Sequence, residues 1–462
     1  MKKKNKVFIK ILAIFILAPL IAWSFASSAA GQPAKKGTPA QKASVTKDIY
    51  PGINAPWTEP KKVNFKGSIT IGDVSDYTGA AGKTCFPIAT AIQDWFRYVN
   101  EYLGGIEGYK ILVDSVDTKY DPQNNINSVS RFIDEGKIIL YSPVAGTFPA
   151  TVEIITRRKV PMIAPSGTVT FIYLTPEQAS KRDNYFFSSS PVVASRMEIY
   201  VKFFMEDWKK KGKAGAPVFG TLNFDNQLGH EAATAARMFI TKHGAKFGVH
   251  TFCLPSISDA RAQVTALKNA KVDYIISGPI SDQPVTVFAL ELYRQKTSDW
   301  APIYGSHTDF GTSYLDTKNI AFEGHYSYQY TLDWYDTEAP IIKWVHDINK
   351  RWHPDVVTRP LSYNFGIQGA IVITEALKRG IKKYGDPKKL DGEKMRQILE
   401  TFDKFDPLGI SGPITYNRYD HQGSSALRIA ENKDKRLVPA TGWIQADPLT
   451  GEQRDGKYWL KD

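Results

Sequence analysis

Apolar and polar positions along this chain follow two periods. Short β-branched or apolar runs at 69–74, 110–116, 138–141 and 161–164, then at 217–223, 247–253 and 272–277, read as strands. Between them lie segments whose apolar residues fall three and four apart. The clearest puts Ile88, Ile92, Trp95, Phe96, Val99 and Leu103 on one helical face and stops at Gly104-Gly105. Further helices are expected at 124–135, 195–211, 231–243, 259–269 and 284–295. Each strand-helix repeat delivers a parallel strand. Two such series in succession predict an α/β protein with two doubly wound parallel-sheet lobes.

Small polar stretches interrupt the pattern at 187–191, 305–309 and 406–413, the last followed by a strand-like tail from Ile414. Read as crossings between lobes, they give a three-segment hinge rather than a string of domains. The expected division is 67–188 with 307–410 in one lobe, and 189–306 with 411–462 in the other.

The amino terminus has a different pattern. Lys2, Lys3, Lys4, Lys6 and Lys10 precede an apolar run from residue 11 to 25 and a small-residue tail at 26–30. This order is that of a secretory signal, with cleavage expected after Ala30. The apolar run falls short of the ~20 residues that a spanning helix needs, and Pro19 interrupts it. No Cys near the cut offers a lipid-acceptor thiol, and no later segment is long and apolar enough to span. Residues 31–66, rich in Lys, Pro, Gly, Ala and Ser, read as a flexible spacer that settles on the body around Trp57. The formal charge of +12 falls to +7 once the five signal lysines are removed. That scattered excess excludes a dense nucleic-acid-binding patch and favours solubility.

In doubly wound folds, ligands sit beyond the carboxyl ends of the strands, so the residues just after each strand carry the candidate chemistry. After the first strand comes 76–82 with Tyr77 and two glycines, which either approach a ligand or make a turn. Ser142, Val144, Ala145, Gly146 and Thr147 follow the third strand, and Ser166, Gly167 and Thr168 the fourth. Hydroxyls at helix starts cap helices, and two such starts on one sheet edge also suit a carboxylate. In the second series, Asp225 and Asp282 either pair with a ligand ammonium or cap the helices opening near Gly229 and Pro284. Tyr77, Phe86, Phe148, Tyr326 and Tyr328 are candidate aromatic walls, or simply core. Enzyme signals are absent: there is no H-E-x-x-H, G-x-S-x-G, C-x-x-C, dinucleotide or phosphate-loop motif, and the histidines lack metal-ligand spacing. Cys85 and Cys253 fall in different series, and a bond between them would tie the hinge, so free or buried thiols are expected.

Several segments together resemble the branched-chain amino acid binding protein family, the type I solute-binding proteins of ATP-binding-cassette importers. They are Tyr77-Thr78-Gly79, Val99-Asn100-Glu101 with 104–108, Asp121-Pro122, 160–166, the helix at 369–377 and Gly412-Pro413-Ile414. The resemblance covers 68 to about 424 and rests on the order and spacing of these pieces. It implies a cleft whose two lobes close on a small amino acid or related carboxylate or amide, for delivery to an inner-membrane permease. It also implies a periplasmic, monomeric protein without catalysis, cofactor, metal or nucleic-acid partner. By position, Ser142, Val144, Ala145 and Gly146 would form the first ligand loop, and Ser166, Gly167 and Thr168 would grip a carboxylate. The ammonium would meet Asp282 or the neighbourhood of Ser281. Leu228 stands where the family has an aromatic residue, Lys83 or Thr84 where it has an aromatic or polar contact, and Gly167 where it has alanine; these departures point away from a leucine-type ligand. A ligand-sensing partner of a membrane receptor and an exported hydrolase are the alternative readings.

Overall fold

The computed structural model describes residues 50–306, 320–434, 436–455 and 458–459, apart from the side chain of residue 282. The expected export segment, the start of the spacer and the 307–309 part of the second polar stretch lie outside the described residues.

Five parallel strands form the first sheet: β1 (Ser68–Ser75), β2 (Lys110–Asp117), β3 (Leu140–Tyr141), β4 (Met162–Ala164) and β5 (Phe186–Ser188), in the order β2-β1-β3-β4-β5. The helices between them are α1 (Gly82–Tyr98), α2 (Pro122–Asp134), α3 (Phe148–Arg158) and the short α4 (Val169–Ile172) and α5 (Pro176–Lys181). The apolar stripe of α1 is buried, and the helix runs through a π turn at Val99–Leu103 to a left-handed Gly104 (φ 81°), the stop its sequence announces. Asp121 caps α2 by accepting from the Asn124 N–H at 2.7 Å, with Pro122 opening the first turn.

The second sheet holds β6 (Val218–Phe224), β7 (Lys246–Cys253), β8 (Tyr274–Ser277), β9 (Ile303–Ser306), β10 (Tyr326–Gln329), β11 (Ala426–Lys433) and β12 (Arg436–Pro439), with β13 (Ile444–Gln445) on β11. Its order is β12-β11-β10-β9-β8-β6-β7. Helices α6 (Val193–Lys210), α7 (Gln227–Lys242), α8 (Arg261–Asn269) and α9 (Asp282–Gln295) accompany the parallel part. β11 runs antiparallel to β10, β12 and β13, so this sheet is mixed rather than wholly parallel.

The chain then returns through α10 (Pro340–Trp352), α11 (Leu361–Tyr384) and α12 (Gly392–Leu399). These helices pack on the first lobe: Trp95 of α1 meets the Trp344 ring edge-on at 5.4 Å and donates its indole N–H to Thr374 Oγ1 at 2.9 Å. Gly366 lets α11 approach α1 closely, since a Cβ there would stand 2.2 Å from the Ile88 carbonyl oxygen.

Two expectations about organisation need correction. Residues 307–410 do not all belong with the first sheet, because β10 is hydrogen-bonded between β9 and β11 of the second. The middle crossing therefore follows Gln329 rather than lying at 305–309. The tail from Ile414 is no strand: Ile414 makes only an isolated bridge to Phe405, and the strand begins at Ala426.

The crossing segments are stitched together by buried polar groups. Gln368 of α11 donates to the Ser189 carbonyl at 3.1 Å and to Ser411 Oγ at 2.7 Å. The Leu332 N–H donates to the Ile410 carbonyl at 2.7 Å, and the Val192 N–H to Gln422 Oε1 at 2.7 Å. Arg196, fully buried, donates to the Pro191 carbonyl, to Ser190 Oγ and to the Tyr328 hydroxyl. Away from the hinge, the end of the spacer docks through Trp57. Its indole N–H donates to Asp347 Oδ2 at 3.0 Å, its ring meets Tyr102 edge-on at 5.0 Å, and the Arg351 guanidinium lies 4.5 Å from it. Among the described residues no helix is long and apolar enough to cross a membrane.

Candidate functional site

The carboxyl ends of both sheets face one cavity enclosing about 590 Å³ of empty space, part of it open to solvent. The first lobe contributes Ala81, Thr84, Cys85 and Ile88 from the start of α1, Tyr120 from the loop after β2, Pro143, Ala145 and Gly146 after β3, and Pro165 and Ser166 after β4. Phe224, Asn226 and Leu228 after β6, and Pro279, Ile280 and Ser281 after β8, form the opposite wall. Tyr330 of the middle crossing and Phe365 of α11 close one side, their rings stacked at 4.1 Å. The location is the one that doubly wound sheets dictate.

Local hydrogen bonds shape each loop. Asp76 accepts from the N–H groups of Gly79 at 2.6 Å and Ala81 at 2.7 Å, folding the turn into α1. Burial raises its carboxyl above the ordinary range, against those two bonds. Asp73, wholly buried on β1, is pushed up to about 6 by desolvation and holds the Ser75 and Tyr77 hydroxyls at 2.6 and 3.0 Å. Gly146 is required by Tyr120, whose hydroxyl would stand 2.6 Å from a Cβ there. Asn226 caps α7 by accepting from the Gly229 N–H at 3.0 Å, and Gly229 itself has no room for a Cβ, which would fall 1.9 Å from the Phe224 carbonyl oxygen.

A buried hydrogen bond joins the lobes beside the cleft. Glu231 of α7, fully buried, accepts the Val169 N–H at the start of α4 through both carboxylate oxygens, at 2.8 and 3.1 Å. Desolvation pushes its carboxyl up to about 8, although the Val169 and Thr170 N–H groups favour the anion. The helix start at which a solute carboxylate was expected is therefore already occupied by a side chain of the opposite lobe.

Of the residues expected at the site, Ala145, Gly146, Ser166 and Leu228 line the cavity. The others are placed elsewhere. The Tyr77 hydroxyl is bonded to Asp73, and its ring packs edge-on against Phe86. Ser142 Oγ accepts the Val144 N–H of its own loop at 3.3 Å, and both residues are buried. Gly167 faces Ile172, whose Cδ1 would be 2.4 Å from a Cβ, so it serves packing. Thr168 precedes α4 fully buried, with an unpartnered hydroxyl that does not reach the cavity lining. Asp225 is exposed and paired with His230 Nε2 at 2.9 Å; the cap of α7 is Asn226, one residue later. The Tyr326 ring packs on Phe203 at 5.1 Å within the second lobe. Asp282 opens α9, but its side chain lies outside the described residues. The sequence reading missed Ile88, Tyr120, Phe224, Asn226, Tyr330 and Phe365. Of these, only Asn226 carried a local signal, as a capping residue two before a helical Leu228.

Cys85 and Cys253 are both buried and neither is in a disulfide. No group of three metal-ligating side chains occurs among the described residues.

Two lobes, three crossings and a cavity at the facing sheet ends define a two-lobed solute-binding protein. The periplasmic binding protein family model matches residues 68–436, and the chain belongs to that family. Solved structures of the same fold are similar to it at low identity. A branched-chain amino acid ABC transporter protein from Thermus thermophilus with bound valine has TM-score 0.70 and 18% identity, covering 83% of this chain and 98% of that one. A fatty acid ABC transporter substrate-binding protein from Thermomonospora curvata has TM-score 0.69 and 18% identity, over 84% and 95%. A solute-binding protein from Rhodopseudomonas palustris HaA2 in complex with p-hydroxybenzoic acid has TM-score 0.65 and 17% identity, over 82% and 98%. None of the curated proteins matches the chain significantly in sequence.

Proposed function

We propose that this chain is the solute-binding component of an ATP-binding-cassette importer, exported, cleaved near Ala30 and working as a monomer in the periplasm. Its two lobes close on a small organic solute and present it to an inner-membrane permease, with no chemical step. The observation that carries this reading is a cavity walled by the carboxyl ends of both sheets and flanked by the hinge. A solute touching both walls binds the closed form better than the open one, and that difference drives closure. The bond from Val169 to Glu231 supports the reading, since donor and acceptor belong to opposite lobes and hold the two walls together in this state. The ligand classes expected from the sequence are an amino acid, a carboxylate or an amide.

Thermal shift against amino acids, aromatic acids, amides and alcohols, paired with small-angle scattering, tests the reading. A solute at a hundredfold excess over Kd adds about 2.7 kcal/mol of stability, and closure reduces the radius of gyration. If no small solute shifts the protein while a protein partner does, the transport reading fails.

A further inference from the structure

The stretch that matches the family ends at residue 436, and a tail follows it. After β13 the described part of this tail lies on helices of the second lobe. Asp447 fixes it to α6: its backbone N–H donates to Glu198 Oε2 at 3.2 Å, and its carboxylate pairs with the Lys202 ammonium at 2.8 Å. Further along, the Gln453 amide and the Tyr458 hydroxyl donate to the Met238 sulfur of α7 at 3.5 and 3.2 Å. Trp459 is wholly buried and donates its indole N–H to the Gln453 carbonyl at 2.7 Å. Among these anchors, one turn at Glu452–Arg454 carries Arg454 across to the first lobe, where its guanidinium lies 5.5 Å from the Tyr173 ring. Tyr173 follows α4, donates its N–H to the Val169 carbonyl at 3.0 Å and bridges Asp420 of the third crossing. Burial raises the Asp420 carboxyl to about 6, and the positive charge of Arg454 pulls it the other way.

We propose that this tail is a strap between the lobes: anchored on α6 and α7 and clasping Tyr173 through Arg454, it holds the lobes together and resists their opening. The proposal rests on the hinged-capture reading and adds to it a control outside the three crossings. Val169 and Tyr173 are one helical turn apart, so the strap crosses the seam beside the bond from Val169 to Glu231. Separating the lobes there must either pull Arg454 off the ring or peel the tail from α6 and α7. The second route breaks an ion pair, two bonds to sulfur and the packing of Trp459. The cation–π contact is therefore the end that lets go. A guanidinium on a ring as buried as Tyr173, 3% exposed, is favourable enough to shift an open-to-closed ratio about fivefold.

The test reads opening without any solute. Spin labels on Gln123→Cys and Leu254→Cys, exposed positions just past the carboxyl ends of β2 and β7, report the distance between the lobes by pulsed electron resonance; the native thiols are buried. In the unliganded mature chain, Arg454→Met should raise the ratio of longer to shorter distances about fivefold. Arg454→Lys keeps a cation for the ring and should recover much of the wild-type ratio. Asp447→Ala, which frees the tail from α6, should act in the same direction as Arg454→Met, and it carries the test should Arg454→Met not fold. Tyr173→Leu removes the same contact from the other lobe, so the Arg454→Met, Tyr173→Leu double variant should open no further than either single one. Glu452→Ala, an exposed neighbour in the same turn, should leave the ratio unchanged. A lower melting temperature in Arg454→Met with unaltered distances would reduce Arg454 to local packing and overturn the strap, as would additive shifts in the double variant. Neither result touches solute capture, which the thermal-shift panel judges by itself.

Discussion

Replacing Glu231 by Gln keeps the shape and the acceptor for the Val169 N–H but removes the proton equilibrium. In the folded protein, burial pushes the Glu231 carboxyl up to about 8 from an ordinary 4.5. Between those values the folded state holds a proton that the unfolded chain has released. Stability is therefore fullest below the unfolded value and is lost as pH rises towards the folded one. One proton corresponds to about 1.4 kcal/mol per pH unit, so the wild type should lose roughly 3 kcal/mol through this group between pH 5 and 7. Glu231→Gln lacks that loss. The assay is urea unfolding by tryptophan fluorescence at pH 5, 6 and 7 for both proteins. Their difference isolates Glu231, because Asp73 and Asp420, also raised by burial to about 6, are common to both. The two should be nearly equal at pH 5, and the Gln variant should lead increasingly towards pH 7. Parallel pH profiles would refute a buried, uncompensated carboxyl at the lobe junction.

Gly229→Ala forces a Cβ against the Phe224 carbonyl; it should destabilise by about 2 kcal/mol and weaken solute binding by displacing Leu228, both readable in a melting and titration series. Trp57→Ala removes a half-buried ring, its bond to Asp347 and its contact with Arg351. A loss of about 2 kcal/mol is expected, with solute affinity intact, because the ring lies away from the cleft. The Cys253 thiol, pushed up to about 12 by burial, should fail to react with Ellman's reagent in the native protein and react fully in denaturant; rapid native labelling there would contradict its burial.

What the sequence made legible was local. The stripe from Ile88 to Leu103 and its Gly104 stop gave a helix because side chains three and four apart share a face, and the structure has both features. β1, β2, β6 and β7 announced themselves as apolar runs beside turn residues. β10 did not: its four residues pair with Arg428 to Glu431, a hundred positions later, and nothing in their own pattern specifies that partner. The same distinction runs through the site. Ala145, Gly146, Ser166 and Leu228 follow strands, and the rule about strand ends located them. Tyr330 and Phe365 reach the cavity from a crossing and a late helix, which strand order alone does not reveal. Beyond the expected carboxylate grip at Ser166 to Thr168, the Val169 N–H is taken for a tertiary reason, since its acceptor comes from residue 231. Asp225 and Asn226 differ by one position and both residue types cap helices, and it is Asn226, in extended backbone, that caps this one.

The threefold crossing has a topological consequence. Neither lobe is a continuous stretch of chain, so one cut in the backbone cannot detach one from the other. A protease that nicks the segment at Ser189 to Val192 would still leave Tyr330 to Leu332 and the run beyond Ile410 as tethers. Each tether restricts sliding and twisting, and rotation about a line through all three is the freedom that survives. The molecule thus resembles a door on three pins: robust to the loss of one, and committed by its connectivity to a single axis of swing.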